Sequence, residues 1–277
     1  PQTLYHLVIE QSLAREALRL SFEHHKSLAK KVEKEEVSLQ FNSRSSMSKA
    51  SGRDIIDMLH LDMLVGSGGV LSHAPRREQA ALMLIDAFQP EGVTQLAVDS
   101  IFMMPHLGVL SSVYPEIAAE VFDKDCLVRL GTVVAPVGPF KRGAVLATLK
   151  IIKPSGETIE HKIVAGELEV IPLGIGETLE CRIQPHGNSV DVGGGNGAAV
   201  ETKLHGGLVG VVLDGRGRPI EFPEGDAERI RALTSWNEAM NVFPMDVIGE
   251  LQNQYPVKGE GRKGGKKRGG FFSLFTR

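Results

Sequence analysis

An apolar run, Leu59-His60-Leu61-Asp62-Met63-Leu64-Val65, stops abruptly at Gly66-Ser67-Gly68-Gly69, and a second apolar block follows at Ala80-Ala81-Leu82-Met83-Leu84-Ile85. The first reads as a strand. The second is apolar on every side, which predicts a buried helix from about Arg76 to Phe88, behind Pro75 and ended by Pro90 and Gly92. Glycines between a strand and a helix make a tight turn in an α/β layer. They also let backbone approach a ligand closely, because no Cβ stands in the way. Amides at a following helix N-terminus can face an adenosine or phosphate group. Gly66, Ser67, Gly68 and Gly69 are therefore the candidate cofactor-contacting residues. The dinucleotide fingerprint is excluded, since the third glycine spacing and the distal acidic residue are missing.

Other elements flank this turn. Leu4, Leu7, Val8, Ala14, Ala17, Leu18 and Phe22 recur at three- and four-residue steps, which predicts a helix from residue 3 to about 32. Lys26, Lys30, Lys31 and Lys34 then fall near the negative pole of its dipole. Val37, Leu39 and Phe41 alternate, so Glu36–Phe41 reads as a short strand, followed by a polar loop from Asn42 to Gly52. Val93–Val98 reads as a strand and Pro115–Phe122 as a short helix.

Glycine density shifts along the chain: 7 glycines in residues 1–131, 17 in residues 132–225 and 7 in residues 226–277. Dense glycine belongs to turns between short strands. Strands are expected at Ala144–Lys153 and Thr158–Val164 about a hairpin turn Pro154–Glu157, then at Leu168–Leu173, Thr178–Ile183, Val200–Leu204, Leu208–Asp214 and Arg218–Phe222. Asp226 is expected to cap a last amphipathic helix. The expected organisation is an α/β lobe over 1–131, a Gly-rich barrel- or sandwich-like β-domain over 132–224, a closing helix and extension over 225–256, and a basic tail over 257–277.

The tail carries a net charge of +6, so residues 1–256 carry −9 within a chain of −3. An acidic body argues against a nucleic-acid partner. Six glycines and six basic residues before Phe271, Phe272 and Phe275 predict a disordered tail. With 42% hydrophobic residues, the chain is too apolar to be disordered throughout. The most apolar stretch, Ile101–Phe122, is broken by His106, Glu116, Glu120, Pro105 and Pro115, so no membrane span is expected. Cys126 and Cys181 give neither a disulfide framework nor metal spacing, which fits a cytoplasmic chain with reduced thiols. Residues Pro1-Gln2-Thr3 open without a Met or a basic leader, and the chain reads as a piece of a longer polypeptide.

Three segments carry a family resemblance: Leu64-Val-Gly-Ser-Gly-Gly-Val-Leu-Ser72, Gly92-Val-Thr-Gln-Leu-Ala-Val-Asp99 and Met104-Pro-His-Leu-Gly-Val-Leu110. In that order they resemble the MutL-type accessory protein of glutamate mutase (methylaspartate mutase), which shares only a name with the mismatch-repair protein. Residues 201–220 also look like that family's C-terminal region. The resemblance implies the α/β lobe of a sugar-kinase, actin and heat-shock-chaperone ATPase, with Gly66–Gly69 as its adenosine-contacting loop and ATP with Mg as cofactor. It further implies a chaperone-like role in maintaining or reactivating a cobalamin-dependent mutase. One departure matters: no Asp-x-Gly-Thr phosphate loop occurs, so the lobe that holds phosphate and Mg is expected to be absent from this chain and ATP hydrolysis with it. An ATP-dependent amide-ring hydrolase of the hydantoinase and oxoprolinase type, and a non-enzymatic β-rich binding module, are the alternatives.

Other groups read as structural. Asp191-Val-Gly-Gly-Gly-Asn196 lies after the adenosine turn, where a phosphate motif should precede it, and reads as a hairpin tip. Nine histidines show no metal-ligand spacing. Asp99 reads as a cap for the turn after its strand. Neither Ser67 nor Ser72 lies in a Gly-x-Ser-x-Gly elbow, and no catalytic residue is assigned. Gly206-Gly207 and Gly215-Arg-Gly-Arg-Pro219 read as turns, with an anion cradle as the competing reading.

Overall fold

The computed structural model describes residues 1–40, 56–152 and 158–254. The loop expected at 42–52, the hairpin turn at 154–157 and the basic tail at 257–277 lie outside the described residues, as does Phe41.

The chain has mixed α/β content with two sheets. In order the elements are α1 (Leu4–Gln40), a single 3₁₀ turn (Met58–His60), β1 (Met63–Gly66), α2 (Gly69–Ser72), α3 (Arg77–Phe88), β2 (Gly92–Asp99), α4 (Met104–Ser111) and α5 (Pro115–Val121). A π turn (Phe122–Cys126) leads into β3 (Leu127–Ala135), β4 (Val145–Ile152), β5 (Thr158–Val164), β6 (Leu168–Ile171), β7 (Thr178–Pro185), β8 (Val200–His205) and β9 (Gly210–Asp214). Two helices, α6 (Asp226–Met240) and α7 (Met245–Gln254), close the described chain.

Five strands form one sheet in the order β1-β2-β3-β9-β6, and four form another in the order β5-β4-β7-β8. The first is mixed: β1 runs parallel to β2 and β3 parallel to β9, while β2–β3 and β6–β9 are antiparallel. The second is antiparallel throughout. β3 runs across residue 131, and β6 and β9, from the glycine-rich half, extend the sheet begun by β1 and β2.

Strand alternation explains the three layers. Val133 on β3 and Val212 on β9 pack with Val8, Leu82, Leu84, Trp236 and Met240, on the side covered by α1, α3 and α6. Their neighbours Val134, Val211 and Leu213 turn to the other face, where they meet Leu149, Ile163, Ile183 and Leu204 of the second sheet. Every residue of β9 is buried because both faces of that strand are covered. The second sheet thus packs as a sandwich layer against the first. α3 is buried at Gln79–Ile85 and Ala87, matching its all-round apolar composition.

Four local expectations change. Glu36–Gln40 is the last part of a 37-residue helix, not a strand, since a three-residue alternation is too short to interrupt a helix already propagating. Lys26, Lys30, Lys31 and Lys34 consequently lie before the final turn, beyond the reach of the dipole's pole. Residues 218–220 form a turn and 221–222 are irregular, with no strand at 218–222, since Pro219 has no N–H for a ladder and the Arg216 and Arg218 side chains are drawn to Asp214. The cap of α6 is Gly225, and Asp226 is its first helical residue.

Candidate functional site

The glycine turn leaves the carboxyl end of β1. Gly66 is buried, and a Cβ there would stand 2.8 Å from a Leu71 methyl and 2.9 Å from a Leu84 methyl, so any larger residue would force these side chains of α2 and α3 to shift at the strand end. Gly68 has φ +103 and ψ 157, a region that side chains with a Cβ avoid. Nothing lies within 4 Å of the Cβ position of Gly68 or of Gly69, so this side of the turn faces open space. The Gly68 carbonyl accepts from the Leu71 and Ser72 amides at 3.1 and 2.9 Å, and the Gly69 carbonyl from His73 at 2.9 Å. Among the described residues, the Gly68 and Gly69 amides have no hydrogen-bond partner. The helix that follows at once, α2, has only 4 residues, and the long buried helix begins at Arg77. A helix dipole therefore adds little at this turn, and what it offers is accessible backbone.

The turn is tied to Asp99 at the end of β2. The Ser67 hydroxyl donates to Asp99 Oδ2 at 3.3 Å, and the Ser72 hydroxyl donates to the Asp99 carbonyl. The same carboxylate accepts the amides of Met104 (3.0 Å), Met103 (3.1 Å) and Ile101 (3.4 Å). Asp99 is the cap its position suggests, and it also bridges two segments 32 residues apart. Burial penalises its charge, but the Met104, Met103 and Ile101 amides and the Ser67 hydroxyl outweigh that and hold its carboxyl below the usual value. The segment it caps is unusual: Phe102 has φ +57, and Ile101 and Phe102 are exposed.

The second polar centre was not legible. Asp214, at the end of β9, receives Arg216 Nε at 2.9 Å and Arg218 Nη2 at 3.0 Å. Arg216 Nη1 reaches on to Asp86 of α3 at 2.8 Å, and Asp86 also takes Arg15 of α1 at 2.8 Å. Arg216 is 1% exposed, with its guanidinium 5.0 Å from the centroid of the Trp236 ring. Burial opposes the charge of both members of the central pair. The mutual attraction prevails, holding Asp214 far below the carboxylate range and Arg216 above its ordinary value. The sequence Asp214-Gly-Arg-Gly-Arg218 was the available signal. Its arginines hold their own aspartate and bind the sheet to α3, so no fork is left for an anion.

The remaining candidates separate. Asp191 Oδ1 accepts the amides of Gly193 (2.8 Å) and Gly195 (3.0 Å), so this carboxylate organises its own glycine turn. Among the described residues, no group of three or more His, Cys, Asp or Glu side chains is placed to hold a metal ion. Cys126 and Cys181 are free, buried and in different clusters. Among the described residues, no helix is long and apolar enough to cross a membrane.

No curated protein and no solved structure matches the chain. Residues 1–126 match the family model described as MutL protein, a span that includes α1, the glycine turn and Asp99. Residues 1–126 of the chain are thus similar to the MutL protein family.

Proposed function

We propose that this chain is the adenosine-contacting part of an ATP-binding, chaperone-like accessory factor that maintains or reactivates a cobalamin-dependent mutase such as glutamate mutase. The family match supports the accessory role and the mutase partner. The observation that carries the nucleotide reading is the Ser67–Gly69 turn. It ends a strand of the main sheet with open space about Gly68 and Gly69 and two amides without partners among the described residues. Ligands of open α/β sheets bind beyond the carboxyl ends of the strands, where this turn sits. A flat adenine or ribose can lie against backbone that carries no Cβ.

ATP with Mg fits the turn only in part. Ser67–Gly69 would contact the adenosine end. No Asp-x-Gly-Thr loop occurs in the sequence, and no carboxylate cluster for Mg²⁺ is found among the described residues. Phosphate and metal contacts are assigned to a second lobe, and this chain alone is assigned no ATP hydrolysis.

Calorimetric titration of the chain with adenosine, ADP and ATP tests the reading. Adenosine is expected to retain most of the affinity shown by ATP, since the phosphates gain nothing here. Absence of binding by all three would refute the adenosine-loop assignment. Sedimentation of the chain with glutamate mutase tests the partner separately, and two independent boundaries would contradict it.

A further inference from the structure

A cleft of about 360 Å³ opens between α1, α3 and α6, and none of Gly66–Gly69 lines it. Its walls are apolar, formed by Val8, Leu82, Leu233, Trp236, Phe243 and Ile248. Two further lining residues, Leu13 and Phe222, are left 64% and 46% exposed. The charged groups of the lining are balanced: Arg15 and Arg216 share Asp86, Arg216 also holds Asp214, and Arg19 holds Glu16 and Glu23. An added charge would find no partner there, so the cleft selects an apolar, uncharged occupant. Its volume suits a few side chains, not a helix or a domain.

The sequence supplies such a segment. Phe271-Phe272-Ser273-Leu274-Phe275 is apolar and uncharged, and it lies outside the described residues. The helix that leads towards it, α7, borders the cleft through Ile248. Gln254, where α7 ends, is six residues beyond Ile248, about 9 Å at the rise of a helix. Residues 255–270 then provide sixteen residues with six glycines, enough to span about 20–24 Å as a glycine-rich chain, so the segment reaches the cleft. The six basic residues in that stretch complement the exposed carboxylates Glu238 of α6 and Asp246 and Glu250 of α7.

We propose that Phe271–Phe275 docks in this cleft, its rings against Trp236 and Phe243, so that the chain covers its own apolar face. The expectation of a disordered tail rests on the tail's own composition, which offers the rings no apolar surface. A preformed cleft supplies that surface, and only a five-residue segment has to order to bury three rings. Tethering through residues 255–270 sets the effective concentration of the segment at about millimolar, so modest contacts suffice. The cleft is separate from the glycine turn, and this docking does not depend on the nucleotide reading.

Trp236 is the sole tryptophan of the 277-residue chain, so its fluorescence reports on the cleft directly. A nitroxide attached at Ser273→Cys in that chain is a short-range quencher of the indole, and Cys126 and Cys181 are buried and stay unlabelled. Emission is expected to fall by about half or more relative to the same sample after ascorbate reduction, at low and high protein concentration alike. Combined Phe271→Ser, Phe272→Ser and Phe275→Ser substitution in the labelled chain is expected to abolish the quenching. Leu13→Glu, which places a charge at the exposed rim, is expected to weaken it. Circular dichroism checks both folds, and if Leu13→Glu does not fold, the phenylalanine variant decides alone. Absence of quenching, or quenching unchanged in the phenylalanine variant or in a folded Leu13→Glu chain, overturns the proposal. So does quenching that rises with protein concentration, which would place the segment in the cleft of a second copy.

Discussion

The Ser67 hydroxyl donates to Asp99 Oδ2 at 3.3 Å, joining the glycine turn after β1 to the carboxylate that ends β2. The two strands are parallel neighbours in register from Met63↔Gln95 to Gly66↔Val98, so their ends arrive side by side. Asp99 then serves both segments at once. It holds Ser67 on one side and the amides of Ile101, Met103 and Met104 on the other. Replacement by Asn keeps one acceptor but turns an amide donor towards these N–H groups. Asp99→Asn is expected to lower unfolding free energy by about 2–3 kcal/mol, within the range for leaving buried donors unsatisfied. Urea unfolding by circular dichroism measures it.

The same carboxylate carries a pH signature. Its folded pKa lies below the ordinary Asp value of about 3.9, so the unfolded chain binds the proton more readily. Its stabilisation is therefore complete above about pH 5 and declines as pH falls through the unfolded and then the folded pKa. Acid titration of stability is expected to be shallower in Asp99→Asn than in the unmodified chain. Parallel curves would show that the Asp99 amide bonds contribute nothing to folding.

Gly66 and Gly68 should fail in different ways. Gly66→Ala drives a Cβ to within 3 Å of Leu71 and Leu84, and overpacking of this kind costs about 1–3 kcal/mol. At Gly68 there is room for the side chain, and the cost of Gly68→Val comes from φ +103, about 1–3 kcal/mol of backbone strain. The Gly68→Val chain is expected to fold, with a lowered melting temperature, and to lose adenosine affinity through its changed backbone. Unchanged affinity in a folded Gly68→Val chain would dissociate the turn from the nucleotide.

Arg216 is the joint between the sheet and α3. Arg216→Met removes one cation facing two carboxylates, and leaving a buried charge uncompensated costs about 3–5 kcal/mol. Asp214 keeps Arg218 at 3.0 Å and Asp86 keeps Arg15 at 2.8 Å, so a loss at the lower end of that range is expected in thermal unfolding. Since Asp214 is held far below the carboxylate range, the unmodified pair is fully present at neutral pH and weakens only on strong acidification.

Both thiols should be inert in the native chain. Burial pushes the Cys181 thiol up to about 11, and burial, with Asp99 and Asp125 nearby, raises that of Cys126. The thiolate is the reactive form, so little is present at pH 8. Ellman's reagent is expected to react slowly before denaturation and with both cysteines after it. Prompt native reaction of one equivalent would contradict the burial of that residue.

Much of the local structure was readable because it rested on short-range signals. β5 begins and ends where the alternation of Thr158–Val164 does, and α3 follows its apolar block. Position-dependent turn chemistry likewise marked Gly66–Gly69 and the capping role of Asp99. β3 went unread because Arg129 and Gly131 interrupt its apolar alternation, and a register shift against β2 falls beside them. α4 was missed for a related reason: Gly108 and Val109 are poor helix formers in an eight-residue segment. The Arg216–Asp86 bond spans 130 residues, and no periodicity reports a pairing at that separation. The apolar cleft is hidden equally well, since α1, α3 and α6 each show an ordinary buried face until they are brought together.

Amide hydrogen exchange at the glycine turn, with and without adenosine, tests the central claim most directly. Adenosine is expected to slow exchange at Ser67, Gly68 and Gly69. A smaller effect is expected at Ile101–Met104, reached through Asp99, with the β4–β5–β7–β8 sheet unchanged. Exchange at Ser67–Gly69 that stays the same at saturating adenosine would contradict the claim that this turn holds the nucleotide.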